Sequence, residues 1–198
     1  GGYKVARVNG EKGTVPLVVG APVRDAFVAF AAEHGRKLRL EVEPGTFLVA
    51  NAGAVLAAVG DVVRTDTRTF VKLDSGMTEI LRPSLYGAQH PVTFYPARPA
   101  GSVDTVVVGH CCESGDLITC APGDAETLAP RPLPVVVRGD LAVIGGAGAY
   151  CSAMSAKNYN SFPEAPEVLV ALDGTPHLIR RRQDLDHMLA NEVVPRDL

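Results

Sequence analysis

The chain has 198 residues, 46% of them hydrophobic, which is enough to bury a core in one domain or two small ones. Its formal net charge of -3 gives no positive field that would attract nucleic acid or anionic lipid. The chain has no apolar run of the roughly 18 residues that a membrane-spanning helix needs, and its first residues do not resemble a signal peptide. We therefore predict a cytoplasmic protein that binds neither nucleic acid nor membrane.

The first predicted element is a helix in the sequence PVRDAFVAFAAEHG. Pro22 suits the first helical turn and Gly35 suits the position just after the last turn. The apolar residues that recur at helical spacing are Val23, Ala26, Phe27, Phe30 and Ala31. The pattern thus predicts one amphipathic helix with both ends marked.

A predicted strand follows in KLRLEVEPG, where apolar and charged residues alternate until Pro44 and Gly45 end the run. Glu43 is the last residue of this strand. A helix followed by a strand with an acid at its carboxyl end is the arrangement of one unit of a β/α barrel. Residues 1–49 therefore resemble the end of an α/β domain.

From residue 50 onward the pattern changes to short valine-rich runs separated by proline and glycine, which favours a β-sandwich or β-barrel of about six to eight strands. Near the end of the chain, RRRQDLDHMLANE has Leu185 and Met188 on one side and predicts a helix. The predicted strands lie in AVLAAVGDVVRT, TRTFVKLDSG, HPVTFYP, VDTVVVGH, PLPVVVRGDLAVIGG and EVLVALDGTPHLIRR.

The stretch HCCESGDLIT at 110–119 could be a metal site, a redox pair, a nucleophile or a turn. The interval from Cys112 to Cys120 does not match a zinc site, so we expect no metal there. Adjacent side chains of an extended strand point to opposite faces, which argues against Cys111 and Cys112 acting as a pair. Without export signals, these three cysteines and Cys151 are expected to be free thiols. A nucleophile and a plain turn remain open.

Five segments, taken together, resemble the fold type III, pyridoxal-phosphate-dependent decarboxylases, and among these the diaminopimelate-type group. The segments follow the family's order at about its spacing. CESGD separates this group from the ornithine-type enzymes, whose equivalent segment resembles C-D-x-x-D. The five segments are GGY at 1–3, EPG at 43–45, LRPSLYGAQHP at 81–91, CESGD at 112–116 and AGAYCSAMSAKNYNS at 147–161.

The resemblance implies a fold of two parts, an α/β part followed by an all-β part. In the family, a β/α barrel binds the cofactor and a C-terminal β-domain follows it. Residues 1–49 would be the last unit of the (β/α)8 barrel, and residues 50–198 would be the β-barrel or β-sandwich domain. The family's cofactor-binding lysine would lie in a missing N-terminal barrel portion or on a companion chain, because no lysine here has the family's lysine context.

The same resemblance implies which residues would bind the cofactor, pyridoxal 5'-phosphate. Gly1 and Gly2 would end the glycine loop whose backbone N–H groups approach the phosphate. Glu43 would pair with the pyridine nitrogen and keep it protonated. Tyr150 would lie against the cofactor and the carbon chain of the substrate.

For the substrate, the resemblance implies that Arg82 and Tyr86 bind a carboxylate. Glu113 would bind the distal ammonium, and Cys112 would donate a proton to the carbon that has lost carbon dioxide. Asp116 is expected to cap the turn.

One position departs from the family pattern. The family commonly has an arginine directly after EPG, where it binds a substrate carboxylate, and Thr46 occupies that place here. A hydroxyl cannot form the bidentate, charge-assisted pair that a guanidinium forms. That anchor is therefore lost or supplied elsewhere, which leaves Arg82 as the expected anchor.

The implied activity is decarboxylation of meso-diaminopimelate, at its D-configured centre, to L-lysine and carbon dioxide. It implies a homodimer in which CESGD of one subunit completes the partner's site. One alternative, suggested by Thr46, is a related decarboxylase of another diamino acid or a carboxylated polyamine. Another is a non-catalytic β-domain that binds a partner decarboxylase.

Overall fold

The structure, a computed structural model, describes residues 2–195 and begins with the helix α1, Pro16–His34. The predicted start at Pro22 is wrong, because Pro16 occupies the first turn and Pro22 lies inside the helix. Proline is tolerated in the first turn since the N–H it lacks has no partner there. The predicted end is confirmed: Gly35 adopts φ 66° and its N–H donates to the carbonyl of Ala31.

Across residues 2–195, no helix is both long enough and apolar enough to cross a membrane.

The segment 36–44 forms no strand, so the prediction of a strand at KLRLEV is wrong for this chain. A strand of a parallel barrel is formed by hydrogen bonds to its neighbours, and no described residues supply them here. A groove of about 440 Å³ lies between this segment and α1, with Phe27, Leu38 and Leu40 in its lining. Leu40 is 55% exposed and Val42 is 50% exposed. This apolar surface faces away from the rest of the chain's core.

Beyond this segment the described chain is mainly β-structure. The elements are α2 Gly45–Val49, β1 Val55–Arg64, β2 Thr69–Leu73, α3 Arg82–Tyr86, β3 Val92–Tyr95, β4 Ser102–Val108, β5 Cys120–Ala121, β6 Asp124–Leu128, β7 Arg131–Pro134, β8 Leu141–Ile144, β9 Glu167–Val170, β10 Pro176–Arg180 and α4 Leu185–Leu189. The predicted valine-rich strands and the short C-terminal helix are confirmed. The strands β5 and β6 and the helices α2 and α3 were not predicted.

Six of these strands form one mixed sheet in the order β3-β8-β1-β2-β4-β7. Strands β2 and β4 are parallel, whereas the other neighbours are antiparallel. Arg131 at the start of β7 donates to the carbonyl of His90 and to the side chain of Gln89, just ahead of β3. This link joins the two edges, so the sheet is nearly closed. Two hairpins, β5–β6 and β9–β10, complete the described strands.

The core fills the inside of this sheet through period-2 alternation. In β2, Val71 and Leu73 are buried whereas Lys72 between them is exposed. Such alternation buries one face of each strand and leaves the other for solvent or for another part of the protein. The main buried cluster includes Ala57, Val59, Val71, Leu73, Ile80, Phe94, Val107, Ile118, Ala142 and Ile144.

Two glycines allow one backbone segment to cross another next to the sheet. The N–H of Ala147 donates to the carbonyl of Gly53 at 2.8 Å. A Cβ atom on Gly148 would lie 1.9 Å from the carbonyl oxygen of Val49. No larger side chain fits at this crossing, which fixes the segment that leads to the predicted cofactor residue Tyr150.

We predict that Gly148→Ala lowers the free energy of unfolding by about 3 kcal/mol or prevents folding, because backbone would have to move to admit the methyl group. Gly20→Ala is the control, since a Cβ atom there meets nothing within 4 Å and alanine favours the helix. Urea unfolding of both variants measures the difference. Equal stabilities would contradict the close crossing.

Candidate active site

The loop after β4 is organised around the buried carboxylate of Asp116. Its Oδ1 accepts from the N–H of Met77 at 2.7 Å, and its Oδ2 accepts from the N–H of Cys111 at 2.9 Å. Gly76 and Gly109 lie so close that a Cβ on either would overlap the carboxylate. Burial raises the pKa of Asp116, while the two backbone hydrogen bonds oppose that rise. Asp116 therefore holds the turn, as the sequence predicted.

The two adjacent cysteines differ in burial, although they lie in a bend at 110–112 and not on the extended strand that the prediction assumed. Cys111 is 9% exposed, and burial together with the neighbouring Asp116 raises its thiol pKa to about 12. Cys112 is exposed, whereas the other three cysteines are buried. The backbone N–H of Cys112 donates to Oδ1 of Asn160 at 2.7 Å. Cys112 is thus the thiol that the loop presents outward.

Glu113 is exposed beside Cys112, and its carboxylate is held by the loop itself. Its Oε1 accepts from the N–H of Gly115 at 3.0 Å, and its Oε2 accepts from the hydroxyl of Tyr159 at 3.3 Å. The hydrogen bond from Gly115, followed by that from Tyr159, lowers the pKa of Glu113. Glu113 is therefore a negative charge at neutral pH, next to an accessible thiol.

The segment 158–161 binds this loop through hydrogen bonds from two of its side chains. The sequence did not predict this role. Asn160 holds the backbone of Cys112, and Tyr159 reaches Glu113. Asn158 and Asn160 have positive φ angles of 59° and 52°, a conformation that asparagine tolerates better than most residues. The NYN triplet carried this signal, because two asparagines in three residues favour left-handed backbone.

His110 has a structural role on the inner side of the loop. Its ring stacks on Phe162 with centroids 3.5 Å apart and planes 7° apart. Its Nε2 lies 2.7 Å from the hydroxyl of Thr78, which in turn lies 2.6 Å from a carboxylate oxygen of Glu79. Because a carboxylate only accepts, Thr78 donates to Glu79 and His110 donates to Thr78. Burial lowers the pKa of His110, although the nearby carboxylates of Glu79 and Asp116 oppose this shift.

The predicted substrate residues Arg82 and Tyr86 lie together on α3. The guanidinium carbon of Arg82 is 5.8 Å from the centroid of the Tyr86 ring. Tyr86 is 54% exposed, and Gly87 ends the helix at φ 58°. A one-turn helix between proline and glycine therefore presents a cation and a phenol side by side.

A buried histidine lies close to this pair. Nδ1 of His90 donates to the carbonyl of Gly145 at 2.9 Å, so the neutral ring leaves Nε2 as an unprotonated acceptor. Burial, with the nearby charges of Arg7, Arg82 and Arg131, lowers its pKa to about 4. The histidine after LYGAQ is thus a neutral core residue.

The predicted cofactor residues lie on a different part of the chain. Glu43 is exposed just before α2, and Gly2 is exposed with φ 90°. Tyr150 is exposed and has φ 56°, a strained conformation for a tyrosine. Gly1 lies outside the described residues. A glycine backbone, a carboxylate and an exposed aromatic ring match the phosphate, ring nitrogen and ring face of pyridoxal phosphate.

The structure brings some predicted site residues together and leaves others apart. Arg82 lies beside Tyr86, and the chain neighbours Cys112 and Glu113 are both held by the segment that contains Tyr159 and Asn160. Among residues 2–195, no side-chain hydrogen bond or ion pair links Glu43 or Tyr150 to the loop of Cys112. In the same residues, no three histidine, cysteine or acidic side chains are grouped to bind a metal.

Known proteins resemble this chain over most of its length. The family described as pyridoxal-dependent decarboxylase, C-terminal sheet domain, matches residues 17–148. The diaminopimelate decarboxylase of Escherichia coli K12 is 42% identical over 170 residues, which are 82% of this chain and 39% of that protein. The Streptomyces coelicolor enzyme of the same name is 44% identical over 170 residues, covering 83% of this chain and 37% of that protein.

Solved structures agree with these sequence matches. A crystal structure of diaminopimelate decarboxylase has a TM-score of 0.86 at 38% identity and covers 94% of this chain and 45% of that one. The Helicobacter pylori diaminopimelate decarboxylase complexed with L-lysine has a TM-score of 0.78 at 30% identity. This match covers 96% of this chain and 42% of that one. The chain therefore spans about two fifths of the length of these relatives.

We expect Asp116→Asn to lower the free energy of unfolding by about 1–3 kcal/mol. The amide nitrogen would face one of the two N–H donors, from Met77 or Cys111, and leave it without an acceptor. Urea unfolding measures the loss. Asp104→Asn, on the exposed side of β4, is the control and should change little. A similar effect of both variants would argue against the clamp.

We also predict that protonation of the unfolded chain at His90 weakens the fold in acid. An unfolded histidine binds a proton below its usual pKa of 6.5, whereas folded His90 does so only near 4. Above pH 6.5, His90 is neutral in both states and its titration does not change the free energy of unfolding. Between pH 6.5 and 4, the proton bound by the unfolded chain lowers the free energy of unfolding by about 3 kcal/mol.

His90→Asn keeps a donor for the carbonyl of Gly145 but cannot bind this proton. The free energy of unfolding, measured by urea at several pH values across that window, should fall less steeply for His90→Asn than for the wild type. His177→Asn, at an exposed position, should follow the wild type. Parallel curves for all three proteins would exclude a role for His90.

Proposed function

The chain belongs to the pyridoxal-dependent decarboxylases, through their C-terminal sheet domain, and from this premise we propose that the protein containing it decarboxylates meso-diaminopimelate to L-lysine and carbon dioxide. The observation that carries the proposal is the CESGD loop, which presents an exposed Cys112 beside a negatively charged Glu113. The relatives named diaminopimelate decarboxylase support the choice of substrate. The chain spans about two fifths of those relatives, so the activity is proposed for the whole protein.

Pyridoxal phosphate, when bound, takes up the electron pair that carbon dioxide leaves behind. In this chain the backbone of Gly2, together with Gly1, would hold its phosphate. Glu43 would face the ring nitrogen and keep a proton there. Tyr150, exposed at the glycine crossing, would cover the ring or the substrate chain. The cofactor-binding lysine would come from barrel residues outside these 198.

The chain's own side chains account for orientation and proton delivery. Arg82 would bind the carboxylate that the product retains, with Tyr86 beside it. Glu113 would bind the ammonium at the same end of the substrate, since its carboxylate is ionised at neutral pH. The Sγ of Cys112 would then give a proton to the carbon that has lost carbon dioxide and regain one from water.

The same proposal includes the architecture of the whole protein. Residues 1–49 would be the last barrel unit and residues 50–198 the β-domain, a division supported by the change from helix to sheet after residue 49. The exposed apolar groove along α1 and Leu38 would be covered by other barrel elements. A homodimer would bring the Cys112 loop to the partner's cofactor. A cytoplasmic location accompanies this biosynthetic role and stays a prediction.

A second candidate substrate class is favoured by Thr46. Its hydroxyl replaces the arginine that would bind a carboxylate, which suits a diamino acid or carboxylated polyamine with a different far end. Assays of the complete protein on meso-diaminopimelate, ornithine, arginine and carboxynorspermidine separate the two classes. Absence of turnover of diaminopimelate by the cofactor-loaded wild type would exclude our first choice.

Shared sites predict recovery of activity on mixing two inactive variants. Cys112→Ala should lower kcat by about 10²–10³-fold, because the proton donor is lost. Glu43→Gln should also lower kcat, because an amide holds a proton on the ring nitrogen of the cofactor less well than a carboxylate does. Dimers formed from both would have one doubly mutated site and one intact site. After subunit exchange, an equal mixture should regain about a quarter of wild-type activity.

The release of carbon dioxide from diaminopimelate measures this recovery. Each variant exchanged with itself is the control and should stay inactive. Ser102→Ala, on the exposed face of β4, should keep full activity and serves as a control for substitution itself. Absence of recovery, with both variants folded and dimeric, would place Cys112 and Glu43 in sites that belong to one subunit.

A further inference from the structure

Arg7 is a half-buried arginine with an unused hydrogen-bond donor. Its Nε donates to the carbonyl of Gly146 at 3.1 Å, while its Nη2 is buried without any acceptor in the described residues. The Nε of Arg82 is buried and unpartnered in the same way. Neither guanidinium forms an ion pair within residues 2–195. Buried N–H groups are costly when unpaired, so both arginines need an acceptor.

The charges near Arg7 favour an anionic acceptor, although Glu11 and the Cys151 thiol already oppose part of the effect of Arg82. Burial and the nearby positive charge of Arg82 lower the pKa of Arg7. The carboxylate of Glu11 accepts from the backbone N–H groups of Arg7 and Val8, not from the guanidinium. Like charges that act on each other in a partly buried site repel, and an anion bound by both guanidinium groups would relieve that repulsion.

Arg7 is held in a fixed position by neighbours on both sides. Its backbone segment runs beside α2, because the ring of Tyr3 packs on Phe47 and Nδ2 of Asn51 donates to the carbonyl of Ala6 at 3.1 Å. Its side chain covers Gly146, where a Cβ atom would lie 2.8 Å from Cδ of Arg7. This anchoring reduces the entropy that the side chain loses on binding a ligand.

We propose that Arg7 is a second substrate-binding arginine, which with Arg82 binds the carboxylate that the substrate keeps after decarboxylation. This rests on the proposed function and makes Arg7 a determinant of specificity. A planar guanidinium binds a carboxylate through two parallel hydrogen bonds, which the hydroxyl of Thr46 on α2 cannot do. A diamine chain without that carboxylate would gain nothing from Arg7.

L-lysine and cadaverine form a matched pair of probes, because they differ only in this carboxylate. Binding of each to the complete, cofactor-loaded enzyme is measured by calorimetry for the wild type, Arg7→Gln, Arg7→Lys and Arg24→Gln. Arg7→Gln should weaken L-lysine binding about 10–100-fold and change cadaverine binding less than about 2-fold. Arg24 is exposed and paired with Asp25, so Arg24→Gln should change neither.

Arg7→Lys keeps the charge and the hydrocarbon stem but loses the planar fork, and it carries the test if Arg7→Gln fails to fold. Arg7→Lys should also weaken L-lysine binding and raise KM for diaminopimelate more than it lowers kcat. Equally weakened binding of L-lysine and cadaverine would show that Arg7 only supports Gly146. Unchanged binding of L-lysine would show that Arg7 does not bind the carboxylate, and either result would overturn the inference.

The wild type separates this inference from the proposed function. A wild type that binds L-lysine no more tightly than cadaverine overturns the role of Arg7. In another outcome, the wild type prefers L-lysine, Arg7→Gln abolishes this preference, and the wild type does not turn over diaminopimelate. That outcome supports the role of Arg7 and overturns the proposed reaction.

Discussion

The buried carboxylate of Asp116 is the interaction on which the candidate site depends. Strands β2 and β4 are parallel neighbours, so the loops that follow them leave the sheet at the same end. Asp116 ties these loops together through the N–H groups of Met77 and Cys111, and the hydrogen bond between Thr78 and His110 adds a second link. The clamp holds the backbone of Cys111, which is buried, and the neighbouring Cys112 is exposed. A charge buried for structural reasons thus holds the backbone next to the accessible thiol.

The strands of the sheet could be predicted because each carries its own signal, namely alternating β-branched residues between turns. The segment before Glu43 has the same alternation, yet it forms no strand, since no described residues pair with it. The start of α1 was misplaced because Pro16 and Pro22 both suit a first turn, and local sequence cannot choose between them. Local patterns therefore predicted strands only where the described chain itself supplies a neighbouring strand.

The family resemblance, carried by five short segments, was confirmed, and it is the source of the roles proposed for the site residues, which stay predictions. The capping role of Asp116 followed from residue chemistry alone, whereas the different burial of Cys111 and Cys112 arises in a bend and not from strand alternation. Asn160, Thr78 and Phe162 were missed, because their roles depend on segments that meet only in the folded chain. The burial of His90 was missed for the same reason. Sequence spacing cannot show which loops pack against each other.

The charged side chains that we propose to bind the substrate fall into two groups. Their arrangement determines how a complete substrate site could form. Glu113 gives the CESGD loop a negative charge, whereas Arg7 and Arg82 form a cationic group near α3. Among the described residues, no side-chain hydrogen bond or ion pair joins the two groups. An amino acid has an ammonium and a carboxylate on one carbon, so binding its far end requires both charges within a few ångströms. In the proposed homodimer, a two-fold axis would bring Glu113 of one copy to the arginines of the other and so supply both charges to one substrate.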